Sequence, residues 1–191
     1  TSPVISWGTP DSWKYGSVGS LIPGVECRVV DDTDRVVAAG EEGEACFRGP
    51  NVMAGYFKQP ELTRSVMEED GFFRSGDWGR LDAEGFLFIT GRKKEMLIIG
   101  GENVFPREIE EVLNGHPAIH DSAVVARMDP VRGELPVAFV ELNGEETFDE
   151  KEARAFCRGK LAGFKVPREI RTIETLPRNA TGKILRRQLQ P

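Results

Sequence analysis

Turn signals set the pattern of the first half of the chain. Short apolar runs alternate with turn-forming clusters, which is the signature of a meander of short strands. Val25–Val30 is the first strand candidate, closed by the polar cluster Asp31-Asp32-Thr33-Asp34. The run resumes over Val36–Ala38, turns again from Gly40 to Gly43, and continues as the alternating stretch Glu44–Arg48. Pro60–Met67 is a helix candidate, with proline at its start, where the missing N–H costs nothing. Trp78–Leu81 and Phe86–Thr90 follow, joined by the turn Asp82-Ala83-Glu84-Gly85.

The character changes at the charged stretch Gly91-Arg92-Lys93-Lys94-Glu95, where a domain boundary is expected. Beyond it, Met96–Ile99 reads as a short apolar strand ending in Gly100-Gly101. Pro106–Leu113 reads as a helix. Ile109, Val112 and Leu113 share one face, Gly115 closes it and Pro117 blocks continuation. Ser122–Ala126, Pro136–Leu142 and Glu169–Ile173 read as strands, and Glu150–Leu161 as an amphipathic helix. Pro177–Gly182 is a loop, followed by a short basic helix over Lys183–Gln190. The expectation is mixed α+β: a β-rich, distorted-barrel-like subdomain over residues 1–90 and a small α+β domain over 91–191.

A chain of 191 residues can hold one or two domains and bury a real core. Its net charge of −6 argues against nucleic-acid binding driven by bulk charge, although the segment Lys151–Arg187 is locally basic. The three cysteines, Cys27, Cys46 and Cys157, are widely spaced and form no CxxC pair. That speaks against a disulfide framework or a zinc site and fits a reduced, cytoplasmic setting. No run approaches the roughly 18 apolar residues of a membrane span, and no signal-peptide pattern opens the chain. The first residue is Thr1 rather than Met, so the chain is expected to begin at a cut.

Three glycine-punctuated polar clusters carry the candidate chemistry. In Phe73-Arg74-Ser75-Gly76-Asp77, a carboxylate directly after a glycine turn can accept hydrogen bonds from vicinal ribose hydroxyls; the plain alternative is an aspartate capping turn amides. The run from Gly91 to Glu110 passes from a basic turn through an apolar strand and a double glycine into a helix. Glycine there admits close approach of a ligand, and the plain alternative is a linker with a hairpin turn. In Leu176-Pro177-Arg178-Asn179-Ala180-Thr181-Gly182-Lys183-Ile184-Leu185-Arg186-Arg187, a lysine beside glycine on a polar loop can reach an anion. This is no P-loop: Pro177 stands where that motif needs glycine, and Ile184 where it needs Ser or Thr. The plain alternative is a solvated basic face.

Taken in order, these clusters resemble the C-terminal signature motifs of the adenylate-forming enzymes, which include acyl-CoA synthetases, peptide-synthetase adenylation domains and luciferase-like enzymes. Gly16–Gly24 and Gly49–Pro60, the latter containing Val52-Met53-Ala54-Gly55-Tyr56-Phe57, add two further matches. The resemblance implies activation of a carboxylic acid by ATP to an acyl-adenylate, followed by transfer to a thiol. Asp77 would bind the ribose hydroxyls, Arg92 would help hold the nucleotide, and Lys183 would be the catalytic lysine of the first step. Lys94 occupies the hinge position, about which the second domain would turn between steps. Gly100 and Gly101 would then line the pantetheine tunnel of CoA, with Arg158 and Lys160 as weaker candidates for the CoA phosphates.

The family's phosphate loop, acyl pocket and magnesium-binding glutamate find no counterpart in this sequence, and Thr1-Ser2-Pro3 resembles the residues just after that glutamate. The implied function is that of the C-terminal portion of a fatty- or aryl-acyl-CoA synthetase, inactive alone, using ATP, Mg2+ and CoA with no metal ligand in this chain. The alternatives are an adenylation domain that loads a carrier protein and a non-catalytic lid or interaction module.

Overall fold

The computed structural model describes residues 4–144 and 148–191, so the expectation for Thr1-Ser2-Pro3 lies outside the described residues. The chain separates into two units, the first running to Lys94 and the second spanning Glu95–Pro191.

In the first unit, β1 (Ser6–Trp7) pairs with β2 (Ser20–Leu21). The strands β3 (Glu26–Val30), β4 (Gly43–Arg48), β5 (Phe73–Leu81) and β6 (Leu87–Arg92) form an antiparallel meander in that order. The single-turn helix α1 (Pro60–Arg64) lies between β4 and β5. Strand β4 is covered on both faces. Ala45 and Phe47 pack with Val25 and Leu87 on one side, and Cys46 packs with Val30 and Phe72 on the other. The period of two explains this split, because successive side chains leave a strand on opposite faces.

The mixed α+β expectation holds, but the barrel-like sheet of the first unit does not close among the described residues. The sheet is extended past β6 by a bridge from Ser20 to Phe86 and at the outer edge of β3 by a bridge from Val30 to Val36, but among the described residues no strand joins these two edges. A barrel exists only when its last strand closes on its first, so this is an open sheet.

In the second unit, β7 (Leu97–Ile99) and β8 (Glu102–Val104) form a hairpin. Then come α2 (Pro106–Asn114), the long antiparallel pair β9 (Ile119–Asp129) and β10 (Gly133–Leu142), α3 (Glu150–Arg158) and β11 (Glu169–Thr172). Strand β11 runs parallel to β10, as the intervening α3 crossover permits. Both helices cover one sheet face. Ile109 and Leu113 of α2 and Ala153 and Cys157 of α3 pack on Val124, Ala138, Val140 and Ile170. Burial of the larger of these side chains, Ile109, Leu113, Val124, Val140 and Ile170, contributes about 1.5–3 kcal/mol each. Asp149 caps α3 by accepting the Lys151 N–H at 2.7 Å.

The opposite face is covered by the end of the chain, where Leu176 and Leu189 pack on Ala123, Val137 and Phe139, with Ile184 against them. That packing overturns the expected helix over Lys183–Gln190. Only a 3-10 turn, Arg186–Gln188, is present. The N–H and C=O of Lys183 are both committed to Asn179, so a helical ladder cannot start there.

Candidate functional site

The first cluster lies inside β5, which runs further toward its N-terminal side than expected. Cys46 of β4 faces Arg74, and Glu44 faces Trp78, so Ser75, Gly76 and Asp77 stand opposite Ala45 alone. This bulge is tied down at each point. Ser75 Oγ donates to the Ala45 carbonyl at 2.7 Å and accepts the Asp77 N–H at 2.9 Å. Gly76 takes a φ of 71°, which a side chain resists, and its N–H donates to Glu44 Oε1 at 3.2 Å. Glu44 is itself buried and accepts from Arg74 Nη2 at 3.0 Å.

The bulge sets Asp77 directly across from Arg92 of β6. Arg92 Nε lies 2.9 Å from Asp77 Oδ1 in an ion pair, and Nη1 donates to the Ser75 carbonyl at 2.9 Å. Two residues singled out separately in the sequence therefore form one ion pair. Beside it, Tyr56, Ser75, Gly76, Arg92, Lys93 and Lys94 line a cleft of about 430 Å³. Tyr56, Ser75, Gly76 and Lys93 are not among the predicted site residues, although all four fall within the quoted motifs. Lys93 is turned toward Asp32 at 3.2 Å and Glu44 at 3.5 Å, whereas Lys94 is exposed in the 3-10 turn Lys93–Glu95. The division between the units falls directly after Lys94.

In the second unit, Lys183 sits on an exposed loop, and among the described residues no carboxylate lies within ion-pair distance of its ammonium. The loop is anchored on both sides. Upstream, the Leu176 N–H donates to Glu141, and Arg178 Nη2 donates to Asp121 at 2.6 Å. Downstream, Arg186 makes a two-pronged contact with Glu110, with Nη2 to Oε2 at 2.8 Å and Nε to Oε1 at 3.2 Å, and reaches Glu95 Oε2 at 3.0 Å. Glu110 is buried, and its Oε1 also accepts the Val124 N–H at 2.8 Å. Burial pushes its carboxyl above the usual range, and the Arg186 guanidinium pulls the other way.

Gly100 and Gly101, at φ values of 62° and 90°, form the two-residue turn between β7 and β8, and that turn type requires positive φ at both positions. No atom lies within 4 Å of where a Cβ would stand at either glycine, so the turn is open on its outer side. Arg158 is exposed at the end of α3, and Lys160 lies over the Phe156 ring at 4.3 Å. Among the described residues no hydrogen bond or ion pair joins the Lys183 loop to the glycine turn.

All three cysteines are free thiols, and burial pushes Cys27 up to about 12 and Cys46 up to about 11, so neither supplies a thiolate at neutral pH. Among the described residues no group of three acidic, His or Cys side chains could hold a metal ion. Among the described residues no helix is long and apolar enough to cross a membrane.

The family model described as AMP-binding enzyme matches residues 1–57, and that described as AMP-binding enzyme C-terminal domain matches residues 108–183, together more than half of the chain. The chain belongs to the adenylate-forming, AMP-binding enzyme family. It is 45% identical to 2-succinylbenzoate–CoA ligase of Bacillus cereus over 93% of its own length and 36% of that protein. It is 45% identical to medium-chain fatty-acid–CoA ligase of Escherichia coli over 95% of its own length and 32% of that protein. Among solved structures it is similar to o-succinylbenzoate CoA synthetase of Bacillus subtilis in complex with its acyl-adenylate intermediate. The TM-score there is 0.88 at 35% identity, covering 93% of this chain and 36% of the other. A second structure of that enzyme holds ATP and a magnesium ion. The chain thus spans about a third of the length of the relatives it matches.

Proposed function

We propose that this chain is the C-terminal portion of an AMP-forming acyl-CoA synthetase, which joins a fatty or aryl acid to CoA through an acyl-adenylate. The observation that carries the reading is Lys183. Its ammonium has no anionic partner among the described residues, while the backbone beneath it is held by Asn179. A compact charge on a flexible stem, rooted at a fixed point, suits a group that must meet developing negative charge.

In this reading the first unit holds the nucleotide. Asp77 accepts from the ribose hydroxyls, a task a carboxylate suits because its two oxygens are acceptors only. Arg92, already fixed to the Ser75 carbonyl, holds Asp77 in place and adds positive charge at the nucleotide. Lys183 bridges the attacking carboxylate and the α-phosphate, binding the transition state more tightly than the ground state. The residues after Lys94 turn as a lid between the two steps, withdrawing Lys183 and presenting Gly100 and Gly101 to the pantetheine arm. Arg158 and Lys160 contribute positive charge for the CoA phosphates. Magnesium ligands come from elsewhere in the full-length enzyme.

The test is Lys183→Ala in the full-length enzyme, followed by separate half-reactions. Pyrophosphate release from acid and ATP should fall by about 100-fold or more. Thioester formation from preformed acyl-adenylate should change little. Equal loss of both would remove Lys183 from its assigned step.

A further inference from the structure

We propose that Asn179 is the positioning residue for Lys183, a role that rests on the reading of Lys183 given above. The carboxamide oxygen of Asn179 collects three donors: the Thr181 N–H at 3.0 Å, the Thr181 hydroxyl at 2.8 Å and the Lys183 N–H at 2.9 Å. The Asn179 N–H donates to the Lys183 carbonyl at 2.9 Å, and the Gly182 N–H donates to the Asn179 carbonyl at 2.9 Å. Both backbone polar groups of Lys183 therefore end on one residue.

The ring is braced from outside. Arg178 bridges Ile184, Arg178 Nη1 donates to the Gly182 carbonyl at 3.2 Å, and the Leu185 N–H donates to the Pro177 carbonyl at 2.7 Å. Ile184 packs into the cluster of Leu176 and Leu189. Successive side chains of an extended segment leave on opposite sides, so the inward Ile184 directs Lys183 outward. The result fixes the Cα of Lys183 and its direction of departure while leaving its stem mobile. A general acid or electrostatic group displaced by about 1 Å loses up to ~100-fold in rate, so the anchor of the backbone controls the chemistry at the ammonium.

Glycine and proline elsewhere in the loop set its path, but only Asn179 ties the path to Lys183 through a side chain. Its bonds lie on an exposed loop, where water takes over the donors when the oxygen is removed. Loss of the carboxamide should therefore loosen the loop without unfolding the unit, which separates positioning from stability.

The experiment compares Asn179→Ala, Asn179→Asp and Lys183→Ala in the full-length enzyme, with amide hydrogen exchange of Lys183 followed in the 191-residue chain. For Asn179→Ala the expected result is a fall of about 10- to 100-fold in kcat for adenylate formation, with KM for ATP unchanged. The thioester step should stay within about twofold, the Lys183 amide should exchange faster, and the melting temperature should hold. Asn179→Asp keeps the oxygen acceptor and should recover most of the adenylation rate. The proposal is overturned if Asn179→Ala forms adenylate at the wild-type rate, if it loses both steps in parallel with its folding, or if Asn179→Asp fails as badly as Asn179→Ala. Should Lys183→Ala itself leave adenylation intact, the reading beneath the proposal is the part that fails.

Discussion

Replacing Arg186 with leucine removes the only guanidinium that touches Glu110 among the described residues and leaves that carboxylate with the Val124 N–H. The Glu110 side chain is 11% exposed and that of Arg186 22%. Breaking a buried pair by deleting one partner costs about 3–5 kcal/mol, because the other charge stays desolvated. Arg186 is partly wet, so the lower end, about 3 kcal/mol, applies here. In a unit of this size 1 kcal/mol moves the melting temperature by about 4–8 °C, which gives a drop of roughly 12–24 °C. The sign with pH follows from the same residue. Burial already raises the Glu110 carboxyl above its ordinary value of 4.5, and Arg186 opposes that rise. Without Arg186 the folded state binds the proton still more tightly than the unfolded state. Stability is then lost as pH rises from about 4.5 through the folded value, so the deficit against wild type is largest at neutral pH and shrinks toward pH 4. All three tryptophans, Trp7, Trp13 and Trp78, lie in the first unit, so their fluorescence serves as an internal control while hydrogen exchange at α2 and β9 reads the second. Adding Glu110→Gln should recover part of the loss, since the amide can keep the Val124 contact without a charge. A deficit below about 1 kcal/mol, or one that is the same at both ends of the pH range, would refute the reasoning.

Two further outcomes are expected. Burial pushes Asp121 upward, but the Arg178 guanidinium and the Ser122 N–H outweigh it and hold the carboxyl below its ordinary 3.8. That pair contributes stability above the unfolded value and loses it as pH falls through the folded one, so Asp121→Asn should flatten the acid limb of urea melts and cost about 1 kcal/mol at neutral pH. In the proposed reading, Lys94→Pro in the full-length enzyme fixes φ in the exposed turn at the end of the first unit, so nucleotide binding should survive while overall turnover falls by about tenfold or more; normal rates for both half-reactions would remove the proposed hinge role from Lys94.

Elements whose signals are local were legible in the sequence. Helix α2 announces itself through Pro106, the spacing of Ile109 and Leu113, and Gly115, and it forms over Pro106–Asn114. Strand β10 reads from its apolar run and forms over Gly133–Leu142. Elements held by their neighbours were not. The polar start of β5, Arg74 to Asp77, shows no strand pattern, yet β4 and β6 supply its ladder and the bulge absorbs the surplus residues. Strand β8 is Glu-Asn-Val, which no apolar pattern marks, but the double glycine before it folds the chain back on β7. There the turn carried the signal and the strand did not.

The same division runs through the candidate site. Asp77, Arg92 and Lys183 could be picked out by residue type and neighbours, because glycine turns and basic stretches are written locally. Their partners could not. Asp77 meets Arg92 only because the β4–β5 and β5–β6 ladders each shift register nearby; a slip of one residue would turn the carboxylate to the other face of the sheet. Arg186 meets Glu110 and Glu95 only after the helix face, the sheet and the returning chain end have packed together. Sequence therefore names the groups able to do chemistry, while the bonds that aim them depend on register and packing. Substitutions at Glu110, Arg186 and Asn179 should accordingly perturb the site as surely as changes to the residues that motifs single out.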